Sequence, residues 1–373
     1  MAEKNFSLKD RLFNADSLGQ LSVEYADGLP GFDAPRFAAL ALSGVADRSL
    51  MACLDWFADC LEPHLAQDFP KMADQLEAMM PARLDPTLRD DDFGHFVHAV
   101  PGILAVRHGL EANRERALDL LYEATQRFSM EFYIRAFLNR WPDETLARLR
   151  IWAEDENYHV RRLVSEGLRP KLPWAQAIQV GHEDAVPFLT RLHADSTRFV
   201  TRSVANHLND ISKKHPNVVV ECLSQWQGLG LQKESELNWM RRHALRGLIK
   251  SGDASALAHL GYSAETDVKT HLDIETAQAQ IGDALKFKVS VTADVDLPVI
   301  VDYRIGFHRP TGRPGEKVFK LKVGQLKAGQ TVVYEKVHKL KGNATTFALY
   351  PGPHSLTVQV NGVDRAKGSF ELV

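Results

Sequence analysis

The chain has 373 residues, of which 45% are hydrophobic and 25% charged, with a formal net charge of −3. This balance is typical of a globular protein with two or three domains, and it excludes collagen-like and wholly disordered chains. No segment approaches the ~18 consecutive apolar residues that a membrane helix needs. The three cysteines fit neither a zinc nor a disulfide pattern, and the first ten residues lack the apolar core of a signal peptide. We therefore expect a cytoplasmic protein.

The charge is distributed unevenly along the chain. Residues 1–129 contain 12 Lys and Arg against 21 Asp and Glu, residues 130–265 contain 18 against 16, and residues 266–373 contain 15 against 11. A polyanionic partner would therefore meet the middle and C-terminal parts of the chain rather than its first third.

Up to about residue 265, apolar residues recur at helical spacing. In RALDLLYEATQR (116–127), Leu118, Leu121, Tyr122 and Ala124 form one stripe, with charged residues opposite. The helical runs are interrupted at Pro142, Pro170, Pro216 and Gly252. The pattern predicts an all-α region of many short helices.

Four of these helical segments share a repeated pattern. FYIRAFL (132–138), YHVRRLVSEGL (158–168), FVTRSVANHL (199–208) and WMRRHALRGL (239–248) align without gaps on Arg135, Arg162, Arg202 and Arg242. The steps between these arginines are 27, 40 and 40 residues. A period of about 40 residues indicates a HEAT-like solenoid of stacked helix pairs over 1–265.

Stacking would place Arg162, Arg202 and Arg242 in a row, with Glu166, Asn206 and Arg246 one turn further along each helix. Further basic residues occur close by in the sequence: Arg161, Arg169, Arg198, Lys213, Lys214 and Arg241. Two interpretations stay open. The arginines either pair with acidic groups of adjacent repeats, or they hold the phosphates of duplex DNA.

Carboxylates within a groove for a polyanion require an explanation. Glu131 lies where a repeat helix begins, at a position that Ser129 could cap, Glu166 lies within the next repeat, and Asp210 lies one turn after Asn206. The structural interpretations are a helix-start charge for Glu131, a pair with Arg162 or Arg169 for Glu166, and a pair with Lys213 or Lys214 for Asp210.

Two further features allow a structural or a functional interpretation. Trp174 is either a core residue or, if exposed, a residue that stacks on a base or attracts a cationic ring. The run Asp90-Asp91-Asp92 is interpreted as a solvated turn.

Beyond Gly261 the periodicity changes to that of strands. Runs at 285–291, 298–306, 317–323, 331–337 and 355–360 are separated by Gly and Pro turns. They predict an immunoglobulin-like antiparallel sandwich over 266–373, with a domain boundary near 262–270. Val318 and Leu321 break the alternation, which predicts a bulge or bend. The basic residues around them are Arg313, Lys317, Lys320, Lys322 and Lys327.

The sequence contains no nucleotide-binding glycine motif, no GxSxG segment and no histidine cluster at metal-ligand spacing. A metalloenzyme, a nucleotide-dependent enzyme and a serine hydrolase are therefore disfavoured.

The string NYHVRRLVSEGLRPKLPW (157–174) resembles the AlkC branch of the AlkC/AlkD alkylpurine DNA glycosylases. Weaker likeness extends over 8–22, 129–138, 203–216 and 241–252, so the resemblance covers roughly residues 5–260. Some AlkC-like proteins also carry a C-terminal immunoglobulin-like domain, and residues 266–373 are similar to one.

The resemblance implies a monomeric base excision repair enzyme that acts on double-stranded DNA without a metal or cofactor. It implies excision of cationic N3-alkylated bases, 3-methyladenine above all, with 3-methylcytosine left open. The catalytic residues implied are Glu131, Glu166, Trp174 and Asp210. The expected DNA-binding residues are Arg161, Arg162, Arg169, Arg198, Arg202, Asn206, Lys213, Arg241, Arg242, Arg246, Lys317, Lys320 and Lys322. The alternative is a non-enzymatic HEAT-repeat scaffold that binds DNA or protein.

Overall fold

The computed structural model describes residues 7–265, 267–311, 315–342 and 348–373. Arg313 of the basic C-terminal segment lies outside these ranges. Within the described residues sixteen α-helices precede eight β-strands, which confirms the predicted order of an all-α region and an all-β sandwich.

The helices are short, as the spacing of breakers predicts, and none that is described is long and apolar enough to cross a bilayer. Their bounds are α1 Leu8–Leu12, α2 Ala15–Gly28, α3 Ala34–Ser43, α4 Leu50–Leu61, α5 Phe69–Ala78, α6 Val100–Leu104, α7 Arg114–Thr125, α8 Ile134–Arg140, α9 Pro142–Trp152, α10 Tyr158–Gly167, α11 His182–Leu192, α12 Arg198–Ile211, α13 Pro216–Leu229, α14 Glu234–Ala244, α15 Arg246–Ser251 and α16 Ala254–His259. Single turns of 3₁₀ helix occupy Glu62–His64 and Phe96–Ala99, and a π turn occupies Ala105–Gly109.

Local sequence accounts for many helix ends. Pro142 and Pro216 open α9 and α13, where the missing N–H of proline has no intrahelical partner to lose. The Asn157 side chain accepts from the His159 N–H at 2.9 Å and caps α10. Leu118, Leu121 and Ala124 are buried as the stripe on α7 predicts, while Tyr122 is half-buried.

The chain forms two compact units. One extends to Ile211 and takes in Leu231–Lys233, and the other comprises Ser212–Gly230 and Glu234–Val373. The change from helix to strand falls between His259 and Val268, near the predicted position. The domain boundary at 265 itself stays a prediction, because the second unit combines the last helices with the strands.

In the first unit, α10 packs against α12 through polar as well as apolar side chains. Ser203 Oγ donates to Ser165 Oγ at 2.8 Å, and His207 Nδ1 bonds the Ser165 carbonyl at 3.0 Å. Burial lowers the pKa of His207 to about 4, so its ring is neutral at pH 7. This contact fixes how the polar face of α10 meets that of α12.

The strands are β1 Val268–Ile274, β2 Gln278–Ala279, β3 Ala284–Ala293, β4 Leu297–Phe307, β5 Gly315–Leu326, β6 Thr331–Lys339, β7 Gly352–Val360 and β8 Val363–Leu372. They form a three-stranded sheet in the order β1-β3-β6 and a five-stranded sheet in the order β2-β8-β7-β4-β5. Alternate residues such as Phe287, Val289 and Tyr303 fill the core of the sandwich.

The predicted bulge lies on β5, at one edge of the larger sheet. Lys322 pairs with Val301 and Lys320 with Asp302, so Leu321 is the extra residue between them. The bulge explains why Val318 and Leu321 break a strict two-residue alternation.

Two glycines meet where the end of α15 approaches the turn between β7 and β8. Gly252 and Gly362 have φ of 75° and 80°. A Cβ on Gly252 would lie 2.7 Å from the Gly362 carbonyl oxygen. Only glycine satisfies both the backbone conformation and this close approach.

Candidate functional site

Three carboxylates and two guanidiniums of the first unit form one continuous chain of ion pairs. Arg162 bonds Glu131 at 3.2 Å and lies 3.5 Å from Glu166, both distances joining a guanidinium nitrogen to a carboxylate oxygen. Arg169 bonds Glu166 at 2.9 Å and Asp210 at 2.7 Å. We call this set the ion-pair chain, in which negative and positive charges alternate.

The fold brings these five residues together from four segments. Glu131 lies in the turn before α8, Arg162 and Glu166 are one turn apart on α10, and Arg169 follows the end of α10. Asp210 lies in the last turn of α12. The packing of α10 against α12 thus joins residues that are about 40 positions apart in the sequence.

Glu131 is the most exposed carboxylate of the ion-pair chain, with 14% of its side chain accessible. Burial raises its pKa, Arg162 offsets only part of that effect, and the negative charge of Glu166 adds to the rise. Ser129 Oγ donates to Glu131 Oε2 at 2.8 Å. Ser129 thus binds the carboxylate itself, and α8 begins only at Ile134, which corrects the expectation that Ser129 caps a helix beginning at 131.

Glu166 lies deeper, with 4% of its side chain accessible. Burial alone would raise its pKa, but Arg162 and Arg169 together outweigh burial and lower the pKa. The structural interpretation of Glu166 offered Arg162 or Arg169 as a partner, and the side chain contacts both. Glu166 therefore stays ionised between two fixed cations.

Asp210 accepts two hydrogen bonds from Arg169, from Nε at 2.9 Å and from Nη2 at 2.7 Å. The sequence interpretation offered Lys213 or Lys214 as partners on the same helix, and α12 ends at Ile211, before both lysines. Arg169 is a partner that the sequence interpretation did not name.

Trp174 is exposed over 57% of its surface and is therefore not a core residue. Its backbone φ is 61°, a left-handed conformation that bulky residues rarely adopt. Its ring meets that of Phe96 edge-on, with centroids 6.5 Å apart. Of the two interpretations of Trp174, the structure supports the exposed one.

Several of the basic residues predicted to bind DNA in the first unit contact groups of the protein itself. Arg161 binds Asp195 and the carbonyls of Asp155 and Glu156. Arg162 lies over the Phe199 ring at 4.4 Å. Neither environment resembles an open phosphate site.

Arg135 and Arg202, which align with Arg162 in the repeat, have different surroundings. Arg135 is fully buried and donates to the carbonyls of Gly167, Arg169 and Gln176. Arg202 binds Asp90 and Asp91. Arg198 and Asn206 are half-buried on α12. The repeat thus predicts the position of each arginine but not its partner.

The remaining predicted DNA contacts belong to the second unit. Arg241 is half-buried and donates to His259 and Asn238, and Arg246 donates to the His243 carbonyl. The exposed residues of this set are Lys213, Arg242, Lys317, Lys320 and Lys322. The last three lie on the edge strand β5, where lysines also discourage edge-to-edge association.

Sequence reasoning missed one segment beside this site. The run Asp90-Asp91-Asp92 is not a simple solvated turn, because Asp90 and Asp91 bind Arg202. The following residue, Phe93, is half exposed and packs edge-on against Phe199, with ring centroids 5.0 Å apart. In the sequence, the only indication of these contacts is that three acidic residues directly precede an aromatic one. Among the described residues, no cluster of three or more His, Cys, Asp or Glu could hold a metal ion.

Comparison with known proteins shows similarity to a family model, to a curated relative and to a solved structure. A family model described as the C-terminal Ig-like domain of the uncharacterised protein YhaZ matches residues 268–373. YhaZ of Bacillus subtilis (strain 168), itself uncharacterised, is 32% identical over 369 residues, which is 97% of this chain and 98% of YhaZ. The solved structure of the Pseudomonas fluorescens alkylpurine DNA glycosylase AlkC, bound to DNA containing an abasic site analog, is 34% identical with a TM-score of 0.88. That match covers 99% of this chain and all of the other. The resemblance inferred from residues 157–174 is confirmed over both the helices and the strands.

Proposed function

Because this chain belongs to the AlkC branch of the AlkC/AlkD alkylpurine DNA glycosylase family, we propose that it is a DNA glycosylase of base excision repair. Its substrates are cationic N3-alkylated bases in duplex DNA, 3-methyladenine first and 3-methylcytosine second. Neither a metal nor a cofactor takes part. The observation that carries the proposal is the ion-pair chain, whose more exposed end is a carboxylate.

The charge of the ion-pair chain suits a cationic substrate. Glu166 and Asp210 are almost inaccessible, whereas Glu131 is the more accessible carboxylate of the ion-pair chain. The negative charge of the ion-pair chain therefore meets solvent mainly at Glu131. A site of this sign attracts the positively charged lesion and the positive charge that develops during its loss.

The reaction needs little more than this. Alkylation at N3 makes the base a cation that leaves as a neutral group, so no general acid has to protonate it. The remaining requirements are stabilisation of the sugar oxocarbenium ion and a water molecule to capture it. A carboxylate ~4 Å from a unit positive charge contributes about 4 kcal/mol at an effective dielectric of ~20, or roughly a thousandfold in rate.

Glu131 and Glu166 take different parts of this task. Glu131 is the accessible carboxylate, and its raised pKa gives it the basicity to orient and deprotonate water. Glu166 holds Arg162 and Arg169 in place and adds fixed negative charge behind Glu131. Because Glu131 acts as the carboxylate, excision decreases as pH falls through its raised pKa.

Trp174 in the first unit and the exposed basic residues of the second unit each offer further contacts to DNA. The indole face of Trp174 is free to stack on a base or to attract the cationic ring. Exposed cations such as Arg242, Lys320 and Lys322 bind backbone phosphates. By contrast, Arg161 and Arg169 contribute by holding the helical repeats, since their donors bind groups of the protein.

One observation favours the alternative of a non-enzymatic scaffold. Each of the three carboxylates is bound by an arginine, which is the arrangement expected if the acids serve only to join neighbouring repeats. The two functions differ in whether the charge of Glu131 is needed for release of a base.

The test is to incubate the protein with methylated duplex DNA and to measure released base and abasic sites under single-turnover conditions. Glu131→Gln and Glu166→Gln keep side-chain shape but remove charge. We expect excision to fall at least about tenfold in Glu131→Gln while DNA affinity holds or rises. The acid limb of the pH profile should also disappear in this variant.

Glu62→Gln is the matched control, because Glu62 also accepts from an arginine, Arg107, but lies outside the ion-pair chain. Its excision rate should equal that of the wild type. If both Glu131→Gln and Glu166→Gln excise at the wild-type rate, the chemistry does not belong to these carboxylates. Release of no base by the wild type would favour the scaffold.

A further inference from the structure

Residues 85–94, which we call the acidic strap, run between α5 and the 3₁₀ turn Phe96–Ala99. The strap is fixed on either side of its acidic centre. At one side the Leu84 N–H donates to the Gln126 carbonyl at 2.9 Å, and at the other Gly94 forms an antiparallel bridge with Phe128. Near the centre, the Arg89 carbonyl accepts from the Phe199 N–H at 3.0 Å. The strap therefore passes over the beginning of α12, where Arg202 lies.

At the centre of the acidic strap, Asp90 and Asp91 accept hydrogen bonds from the Arg202 guanidinium. Nη1 donates to Asp91 Oδ1 at 2.9 Å, and Nη2 donates to Asp90 Oδ1. Two nitrogens of one guanidinium thus bind two separate anionic oxygens. The same fork of donors holds two oxygens of a phosphate group in nucleic-acid complexes.

This pairing differs from those of Arg161 and Arg169 in the same unit. The partners of Arg161 and Arg169, which are Asp195 and Asp210, are almost completely buried. By contrast, Asp91 is 70% accessible, and Arg202 itself is 30% accessible. Water and ions therefore reach the Arg202 pair, so that a competing anion can replace its carboxylates.

The backbone of the strap is unusual beside this contact. Asp91 has a φ of 60°, in the left-handed region that residues other than glycine rarely adopt. Gly94, at φ 64°, lies so close to the Arg127 carbonyl that a Cβ would come within 2.0 Å of its oxygen. The anchor at Gly94 is thus tightly fixed, while the unfavoured conformation at Asp91 lies beside the Arg202 pair.

We propose that the acidic strap competes with DNA phosphates for Arg202 and so limits how tightly the protein holds undamaged duplex DNA. This inference rests on the proposed function, in which the helical repeats bind a duplex. A phosphate that displaces Asp90 and Asp91 gains the guanidinium but must release two carboxylates. The strap thereby weakens binding at sites that offer backbone contacts alone, which favours discrimination of the lesion.

The experiment removes the two negative charges and keeps the shape, in Asp90→Asn/Asp91→Asn. Its Kd for an undamaged duplex is measured over a series of salt concentrations, alongside the melting temperature. We expect at least about fivefold tighter binding at ~0.1 M salt. The slope of log K against log salt should steepen by about one, because Arg202 gains a phosphate contact.

Two controls separate this effect from general electrostatics. Asp55→Asn/Asp59→Asn removes two exposed aspartates that likewise share one arginine, Arg107, and it should change the Kd less than about twofold. Adding Arg202→Gln to Asp90→Asn/Asp91→Asn should abolish the gain. A gain that persists without Arg202, an equal gain in the control pair, or no gain at all would each overturn the proposal.

Base release from methylated duplex distinguishes the two hypotheses. If the binding gain occurs but no variant releases base, the proposed glycosylase function is wrong and the competition for Arg202 stands. If bases are released normally but undamaged duplex is bound equally with and without the two charges, the competition is wrong and the glycosylase function stands.

Discussion

The helical unit and the sandwich each bury a carboxylate, and the pKa values of the two carboxylates are shifted in opposite directions. Glu166 lies between two guanidiniums that outweigh its burial and lower its pKa. Asp302 on β4 is also buried, but Lys320 and Lys250 only partly offset burial, and its pKa rises to about 6. Burial alone therefore does not decide whether an acid stays ionised. A guanidinium in direct contact does so more effectively than ammonium groups that lie further away.

The comparison also shows where charge serves structure and where it is available to a partner. In the helical unit most described arginines bind internal groups, so that their removal should affect stability first. On β5 the lysines are exposed, and their removal should affect DNA affinity first. The following predictions concern the buried charges and the exposed Trp174, in order of decreasing effect on stability.

The largest effect is expected from Arg169→Met, which removes the cation shared by Glu166 and Asp210. Breaking a buried ion pair from one side typically costs about 3–5 kcal/mol. We expect the free energy of unfolding to fall by about that amount, measured by urea denaturation. Arg107→Met is the control, because its partners Asp55 and Asp59 are exposed, and it should cost less than about 1 kcal/mol. Equal losses in the two variants would show that the ion-pair chain contributes no more to the free energy of unfolding than the exposed pairs of Arg107.

Asp302→Asn should raise the free energy of unfolding, which is the opposite of the change expected for Arg169→Met. The folded-state pKa of about 6 lies above the ordinary 3.8, so the folded state binds the proton more tightly. The resulting penalty is absent below about pH 4, grows as pH rises through 6 and is complete above it. Two pKa units correspond to about 3 kcal/mol, so unfolding at pH 8 should require up to that much more free energy in the variant.

The control for Asp302→Asn is Asp364→Asn on β8. Hydrogen bonds from Gln359 and Arg304 hold the pKa of Asp364 below its ordinary value despite burial, so its neutralisation should not stabilise the protein. Denaturation at pH 5 and pH 8 gives the sign for each variant. A gain for Asp302→Asn that is the same at both pH values would contradict titration of this carboxyl.

Trp174→Gly should change stability least among these variants. It separates the contribution of Trp174 to stability from its contribution to excision. The glycine relieves the left-handed backbone and loses the edge contact with Phe96. These effects oppose each other, so we expect the free energy of unfolding to change by less than about 1 kcal/mol. Excision should nevertheless fall at least about tenfold, and Trp174→Phe should restore part of it. A loss of ~3–5 kcal/mol, as for a truncated core aromatic, would show that Trp174 is structural.

Much of the architecture could be predicted from the sequence because it depends on periodicity. The stripe on α7, the breaks at Pro142 and Pro216 and the bulge at Leu321 are local signals, and all three are present in the structure. The spacing of four residues that joins Arg162 to Glu166 on one helix is equally local.

The partners of the site residues depend on contacts that no local pattern specifies. Arg169 binds Asp210 41 residues away, and Arg202 binds Asp90 112 residues away. The repeat aligned Arg135 with Arg162, yet one binds carbonyls and the other carboxylates. Which acid faces which arginine is decided by the packing of α10 and α12 and by the course of the strap.

The meeting of Gly252 and Gly362 restricts where the protein can be labelled. Hairpin turns are common places for tags and inserted segments, because exposed loop tips usually tolerate them. The turn at 361–362 does not qualify, since a Cβ on Gly362 would lie 2.6 Å from Leu257 Cδ1 and 2.8 Å from Gly252 Cα. Asn361 also fixes this turn by donating to the carbonyls of Ser263 and Pro298.

The turn between β5 and β6 is the better attachment point for a fluorophore-bearing segment. A Cβ placed on Gly329 meets no described atom within 4 Å, and Gly329 lies in the short connection beyond Leu326. An insertion at 329–330 would carry a probe close in sequence to the lysines of β5 and leave the glycine pair intact. Association with DNA could then be followed by energy transfer from a dye on the duplex.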